Sequence, residues 1–426
     1  MSDVIEEFRW RGLLHDLSEG AAAHLASGAR AAYAGFDPSA SSLHVGNLVP
    51  IMGLVHLQRY GHHPIPLVGG GTGLIGDPSG KSEERQLLSK EIAAANAEGI
   101  RRQLEHFLDF GAKTNPARMR NNLDWLGEIR MVDFLRDTGK HFRVNDMLRK
   151  DSVRTRLEKE ETGLSYTEFS YLLLQAYDFL ELHRRERCTV QLGASDQWGN
   201  ITAGIDLIRR VTGEPAHGVV FKLLTTATGA KFGKTEAGTV WLDPARTSPF
   251  RFYQFWINSA DEDAVRYLGL FSMLAQVEVD AIAAAARTEP GARHAQRALA
   301  EDVTRRVHGE DGLARARHAT DALFGGALDG LGAADIADIF ADVSSSEVRR
   351  DQLAGEGMSV VDLLAGTPLA PSKGEARRQI QGGGIYVNGR RVEEVESRVT
   401  AAQAVDGRFF VLRKGKKNYH LARVTG

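Results

Sequence analysis

One cysteine, Cys188, stands in 426 residues. No intrachain disulfide can form, and a cysteine-rich zinc site is excluded. So few thiols fit a reducing compartment, and a cytoplasmic protein is expected. The first twenty residues have no basic region followed by an apolar run, so no secretory signal is expected. No stretch of about 18 apolar residues occurs anywhere, so no membrane span is expected either. Charge of one sign is also lacking, with a formal net of only −2. That average conceals an asymmetry. Residues 371–426 carry 12 Lys and Arg against 5 Asp and Glu, a balance of +7, which leaves −9 for the rest. A basic tail on an acidic protein is a footprint for a polyanion such as nucleic acid, or else a solvated surface with no partner.

What is present belongs to a soluble globular chain, with 42% hydrophobic and 25% charged residues. Its length suggests two or three domains. Ala31 to Phe36 reads as a buried strand that breaks at Asp37-Pro38. A helical pattern runs from about Val45 to Tyr60, and a second strand, Pro64 to Val68, ends in a glycine cluster. Strand, helix and strand at this spacing predict a parallel α/β sheet. The pattern from Ser82 to about Leu182 is mostly helical, and a further strand, Thr189 to Leu192, follows it. The expectation is a Rossmann-like catalytic domain over 1–222 with a helical insertion at about 120–185. An α-helical domain over 223–342, a linker at 343–357 and a small α+β domain over 358–426 complete it.

Two phosphate-binding patterns fail on inspection. Gly71-Thr72-Gly73-Leu74-Ile75-Gly76 matches G-x-G-x-x-G, but it follows the second strand and runs into Asp77-Pro78 rather than an apolar helix. Gly80-Lys81-Ser82 resembles the end of a P-loop, but the first glycine of that motif would fall on Ile75.

Activation of a carboxylate by ATP needs positioning and charge neutralisation rather than a covalent intermediate. A helix N-terminus and flexible cations meet that need. His44-Val45-Gly46-Asn47 opens the first helix of the sheet domain, and Lys231-Phe232-Gly233-Lys234-Thr235 lies in a polar, glycine-rich loop. Each alone reads equally as a cap or a solvated loop. Together they resemble the two motifs of class I aminoacyl-tRNA synthetases.

The flanking segments carry the resemblance further. YAGFDPSA (33–40), LVGG (67–70), TGLIGDPSG (72–80), SDQWGNI (195–201), KFGKTE (231–236), WLD (241–243), YQFW (253–256) and VHGE (307–310) are similar to the bacterial tyrosyl-tRNA synthetases. The resemblance implies tyrosine activation by ATP and transfer to tRNA(Tyr). It implies Tyr33 and Asp178 at the substrate phenol, and Tyr171, Gln175 and Asp77 at its ammonium. Tyr171, Gln175 and Asp178 share one helical face by their spacing. Such a pocket rejects phenylalanine by roughly 10⁴–10⁵, a magnitude taken from tyrosine-specific synthetases themselves.

The same resemblance assigns Gly35, Asp37, Ser39, His44, Gly46, Asn47, Gly193, Asp196, Gln197, Lys231, Lys234 and Thr235 to ATP. His44, Lys81, Arg85, Lys231 and Lys234 would act on the phosphates in the transition state. Magnesium would arrive with ATP, with no protein metal site and no prosthetic group. The tail from Pro371 is similar to the S4 RNA-binding fold, with Lys373, Arg377, Arg378, Lys414, Lys416 and Lys417 as its RNA-facing cations. The family is dimeric, which directs attention to 120–180 for an interface.

The chain departs from the family pattern at Asn47, where a second histidine is common, at Ala34 and at Ala194. None of these removes a charge that the chemistry needs. Two other readings are a tryptophan-specific class I synthetase and a non-catalytic S4-type RNA-binding protein. Tyr33 with Asp178 argues against the first, and His44 with both lysines against the second.

Overall fold

The computed structural model describes residues 3–77, 88–150, 153–154, 157, 164–225, 232–235 and 238–426, with the backbone alone at Lys234 and Thr235. By internal packing the chain divides into two compact units. One comprises residues 1–246 and 256–307, the other 247–255 and 308–426.

The first unit is built on a six-stranded sheet. Its strands are β1 (Leu14–Leu17), β2 (Ala31–Phe36), β3 (His63–Val68), β4 (Arg120–Asn121), β5 (Cys188–Ala194) and β6 (His217–Phe221), in the order β1-β6-β5-β2-β3-β4. β2, β3, β5 and β6 are buried over most of their length, as strands covered on both faces must be. Their pairings are parallel, as expected. Two strands depart from the sequence reading. β1 pairs antiparallel with β6 at one edge. β4 lies inside the stretch read as helical, where its two polar residues pair with Leu67 and Val68.

The chain runs outward from β2 to β3 and β4, then returns to add β5 and β6 on the other side. The order therefore reverses between β2 and β5. In an open α/β sheet, ligands bind outside the carboxyl ends of the strands at such a point. Two helices start there. Leu48–Arg59 follows β2 through a 3₁₀ turn at Val45–Asn47, and Trp198–Thr212 follows β5 through another at Ser195–Gln197. A third, Tyr166–Glu186, starts where the Ser165 hydroxyl accepts from the Glu168 N–H at 3.3 Å. It buries Ala176, Phe179, Leu180 and Leu182 against the sheet. Burying a side chain the size of Phe179 contributes about 1.5–3 kcal/mol. That packing fixes the helix rotation and turns Asp178 inward.

The second unit contains a five-stranded sheet in the order Arg390–Arg391, Ile385–Val387, Phe409–Lys414, Asn418–Thr425, Ser345–Arg349. Helices Val360–Leu364 and Lys373–Gln381 contribute to a core around Leu364, Ile380, Ile385, Phe410 and Leu412. The region expected to be a linker, 343–357, is corrected here. Ser345–Arg349 is a strand parallel to Asn418–Thr425, and Val348 is buried in the core. Its polar composition is that of an edge strand with one inward residue, which sequence alone cannot tell from a linker.

Candidate active site

β2 ends at the reversal point and carries Tyr33, whose hydroxyl is buried with no hydrogen-bond partner. An unpaired buried hydroxyl is costly unless something else satisfies it. Its acidity is suppressed first by burial and then by the negative charge of Asp178. Asp178 is 2% exposed. One carboxylate oxygen accepts from Asn122 Nδ2 at 2.8 Å and the other from Trp125 Nε1 at 2.7 Å. Burial nonetheless pushes its pKa up to about 8, against the lowering effect of these two donors.

Asn122 extends the network. Its amide donates to Thr72 Oγ1 at 2.8 Å and its oxygen accepts from the Gly71 N–H at 2.7 Å. Thr72 in turn donates to Asp37 at 2.7 Å, and the Tyr171 hydroxyl donates to the other Asp37 oxygen at 2.9 Å. Burial, then the negative charges of Asp37 and Asp77, raise Tyr171 well above an ordinary phenol. On the β5 side, Gln197 donates to Asp77 at 2.7 Å, and Asn200 donates to both Gln175 and Gln197 at 2.8 and 3.1 Å. Gln175 Nε2 also donates to Gln197 at 3.2 Å. Asp37, Asp77 and Asp178 thus all act on the Tyr171 hydroxyl, Asp37 and Asp77 the most strongly. The negative charge of Asp37 and Asp77 favours a cation beside it.

The glycine cluster contributes by closeness, not by binding phosphate. The Gly70 and Gly71 amides are engaged by the side chains of Asn121 and Asn122. A Cβ on Gly70 would come within 2.3 Å of Asn121 Oδ1. This agrees with rejecting the dinucleotide pattern.

The second cluster surrounds His44. Its Nδ1 accepts from the Gly46 N–H at 3.1 Å, and Asn47 Oδ1 accepts from the His44 N–H at 3.0 Å. An accepting Nδ1 leaves the proton of a neutral ring on Nε2, which suits donation to an anion. The Phe232-Gly233 segment packs directly onto this turn. Gly233 has φ 81°, and a Cβ there would strike Val45 at 2.6 Å and sit 3.5 Å from the Gly46 nitrogen. Phe232 is anchored among the rings of Trp256, Tyr267 and Phe271, with centroids 4.9–5.9 Å away. The two motifs, far apart in sequence, meet at one helix N-terminus.

The remaining expected residues are placed as follows. Gly35 is exposed, with open space where a Cβ would stand, so a ligand can lie against that backbone. Ser39 is exposed and its N–H donates to the Asp37 carbonyl at 2.8 Å. Asp196 is exposed in the turn after β5. Gly193 admits no side chain without crowding Gln197 and Ile201, each 3.0 Å from a would-be Cβ. Asp37, expected beside ATP, has both oxygens engaged by Thr72 and Tyr171. Lys81, Arg85 and Lys231 lie outside the described residues, as do the side chains of Lys234 and Thr235.

In the second unit Arg377, Lys416 and Lys417 are exposed. Lys373 pairs with Asp362 at 2.7 Å and Arg378 with Glu375 at 2.6 Å. Lys414 Nζ reaches the Leu369 carbonyl at 3.4 Å. Arg413, not singled out from sequence, stacks 3.8 Å over the Tyr386 ring.

Sequence reasoning also missed Asn122, Trp125, Thr72 and Asn200. The doublet Asn121-Asn122 was visible as a polar pair, but its role depends on β4 pairing with β3, which two residues do not announce.

A class I synthetase site is what this arrangement defines, and comparison with known proteins agrees. Residues 26–325 match the family described as tRNA synthetases class I (W and Y), and residues 335–422 match the tyrosine–tRNA ligase SYY-like C-terminal domain. The chain belongs to the class I tRNA synthetases of the W and Y family. Among its relatives is a tyrosine–tRNA ligase of Roseiflexus castenholzii, 54% identical over the full length of both chains. Another, from Bacillus caldotenax, is 50% identical over 99% of each. Among solved structures, a C-terminally truncated mitochondrial tyrosyl-tRNA synthetase of Aspergillus nidulans is similar. Its TM-score is 0.67 at 29% identity, over 76% of this chain and 95% of that one.

Proposed function

We propose that this chain is a tyrosine–tRNA ligase. It activates L-tyrosine with ATP to tyrosyl-adenylate and pyrophosphate, then transfers tyrosine to the 3′-terminal adenosine of tRNA(Tyr). The observation that carries the reading is the buried, unpartnered Tyr33 hydroxyl beside Asp178. A phenol entering there satisfies that hydroxyl and binds the carboxylate, whereas a phenylalanine ring leaves both without their partner. An indole ring, the substrate of the tryptophan-specific branch, has no hydroxyl to place between them.

The ammonium of tyrosine is held by Asp77, Tyr171 and Gln175. Its carboxylate attacks the α-phosphate of ATP over the exposed Gly35 backbone, with Gly193, Asp196 and Gln197 on the ribose side. His44 Nε2 donates to the phosphates as charge develops, and Lys81, Arg85, Lys231 and Lys234 neutralise the leaving pyrophosphate. Magnesium comes in with ATP as part of the substrate.

The exposed cations Arg377, Lys416 and Lys417, with Lys373, Arg378 and Lys414, face tRNA in an S4-like domain. The helices before that domain read the anticodon, although the expected helical domain 223–342 is not one unit, since residues from 308 onward pack with the tail. A homodimer is supported by the apolar side chains that the insertion exposes: Met131 at 71%, Val132 at 75%, Val144 at 58% and Tyr166 at 68%. No helix among the described residues is long and apolar enough to cross a membrane, and we place the protein in the cytoplasm.

Pyrophosphate exchange into ATP, measured with each amino acid in turn, tests this. Exchange should depend on tyrosine. Dependence on tryptophan instead would overturn the reading.

A further inference from the structure

We propose that Trp241, steadied by Arg246, is a positioning residue that holds the His44 imidazole in its working orientation. The proposal rests on the ligase reading above. The segment 240–242 lies antiparallel to 43–45. The Val45 N–H donates to the Val240 carbonyl at 3.0 Å, and the Leu242 N–H donates to the Leu43 carbonyl at 2.9 Å. His44 and Trp241 are the residues bridged between these two bonds. Residues directly opposite in an antiparallel pair extend on the same face. Their rings accordingly meet, with centroids 6.0 Å apart and planes at 64°. Edge-on contact of this kind is favoured by the charge distribution of aromatic rings.

The imidazole is therefore held from two directions. The Gly46 N–H occupies Nδ1 and fixes the ring's rotation about its bond to the chain. Trp241 limits its tilt. The indole is itself capped, since the Arg246 guanidinium lies 3.4 Å from its centroid. Arg246 is exposed, so its loss opens no core.

The same segment reaches the second motif. The Val240 N–H donates to the Gly233 carbonyl at 3.1 Å. One peptide strap thus takes a hydrogen bond from the turn carrying His44 and gives one to the turn preceding Lys234. A strap of this kind keeps the two phosphate-binding motifs in register while the phosphates change charge, and Trp241 is its only aromatic side chain directed at His44.

Tyrosine-dependent pyrophosphate exchange by the full chain tests the role in a double-variant cycle. W241A should lower kcat by roughly 10- to 100-fold and leave the tyrosine KM within about twofold. W241F should recover most of the rate. R246A should lower kcat by about two- to fivefold, and R246K should restore it. In a His44→Ala background neither replacement should cost anything further, because there is no imidazole left to orient. Equal losses in the native and His44→Ala backgrounds would overturn the proposal, as would a rise in tyrosine KM at constant kcat. If W241A does not fold, R246A carries the same cycle. No exchange with tyrosine by the unaltered chain would instead defeat the ligase reading beneath it.

Discussion

The pocket around Asp178 and the basic surface of the second unit are both polar, yet they are built on opposite terms. Around Asp178 every group but the half-buried Asp37 is buried, and each hydrogen bond depends on the next: Trp125 and Asn122 to Asp178, Asn122 to Thr72, Thr72 to Asp37, Tyr171 to Asp37. In such a network the loss of one member strands another in a low-dielectric setting. On the second unit, Lys416 and Lys417 stand in water, and pairs such as Lys373–Asp362 are exposed. Exposed pairs contribute about 0–1 kcal/mol and are screened by salt. The first arrangement is suited to rejecting a near-identical ligand. The second is suited to gripping a polyanion by summed, interchangeable contacts.

If that contrast is right, the largest single effect should fall on selectivity at Asp178. Asp178→Asn should lower the ratio of kcat/KM for tyrosine over phenylalanine by at least about 10²-fold, out of the roughly 10⁴–10⁵ that such a pocket provides. Exchange assays with both amino acids measure it. An unchanged ratio would place the phenol elsewhere.

The same residue should leave a mark on stability. Asp178 is raised to about 8 by burial, whereas an unfolded carboxyl titrates near 4. Between those values the folded, ligand-free chain holds a proton that the unfolded chain releases. Stability from this group is full below about pH 4 and is lost as pH rises toward 8. Relative to Asp178→Asn, the native chain should therefore lose up to about 5 kcal/mol across that window. Urea denaturation of both at pH 5, 7 and 9 should show the gap between them change with pH. A constant gap would mean that Asp178 ionises as an ordinary surface carboxyl does.

Much of this contrast was legible in the sequence, for different physical reasons in the two regions. Tyr171, Gln175 and Asp178 fall on one face because helical periodicity is local. β2, β3 and β5 announce themselves as short apolar runs, and the helix Leu48–Arg59 lies close to where the pattern from Val45 to Tyr60 puts it. The resemblance then supplied roles that spacing alone does not carry. What stayed hidden depends on pairing at long range. β4 is two polar residues whose strand character exists only because β3 offers an edge. Asn122 and Trp125 reach Asp178 from 56 and 53 positions away for that reason. Ser345–Arg349 looked like a linker because only Val348 among its residues is buried. The strap at Val240–Leu242 has no periodic pattern, and it is defined by the turn it pairs with.

A smaller effect should follow from cutting the network one bond away from the carboxylate. Asn122→Ala removes a donor to Asp178 and the acceptor for the Gly71 N–H. Leaving such groups unpaired costs about 1–3 kcal/mol. It should also raise the Asp178 pKa further, since Asn122 is the larger of the two influences lowering it. Thermal unfolding and the tyrosine-to-phenylalanine ratio should both fall, the ratio by less than for Asp178→Asn. Loss of stability with an unaltered ratio would mean that Asn122 supports the fold alone.

The smallest effects belong to the basic surface, and there the form of the result matters more than its size. Lys416→Ala and Lys417→Ala should each weaken tRNA binding a few-fold, and the double variant should show the product of the two. Each phosphate contact removed should reduce the slope of log affinity against log salt by about 1. Tyrosine-dependent pyrophosphate exchange, which needs no tRNA, should not change. A slope that stays the same would remove these lysines from the phosphate contacts. Strongly non-additive losses would mean that the tail is a buried, cooperative network of the kind around Asp178, and the contrast between the two regions would fail at its second term.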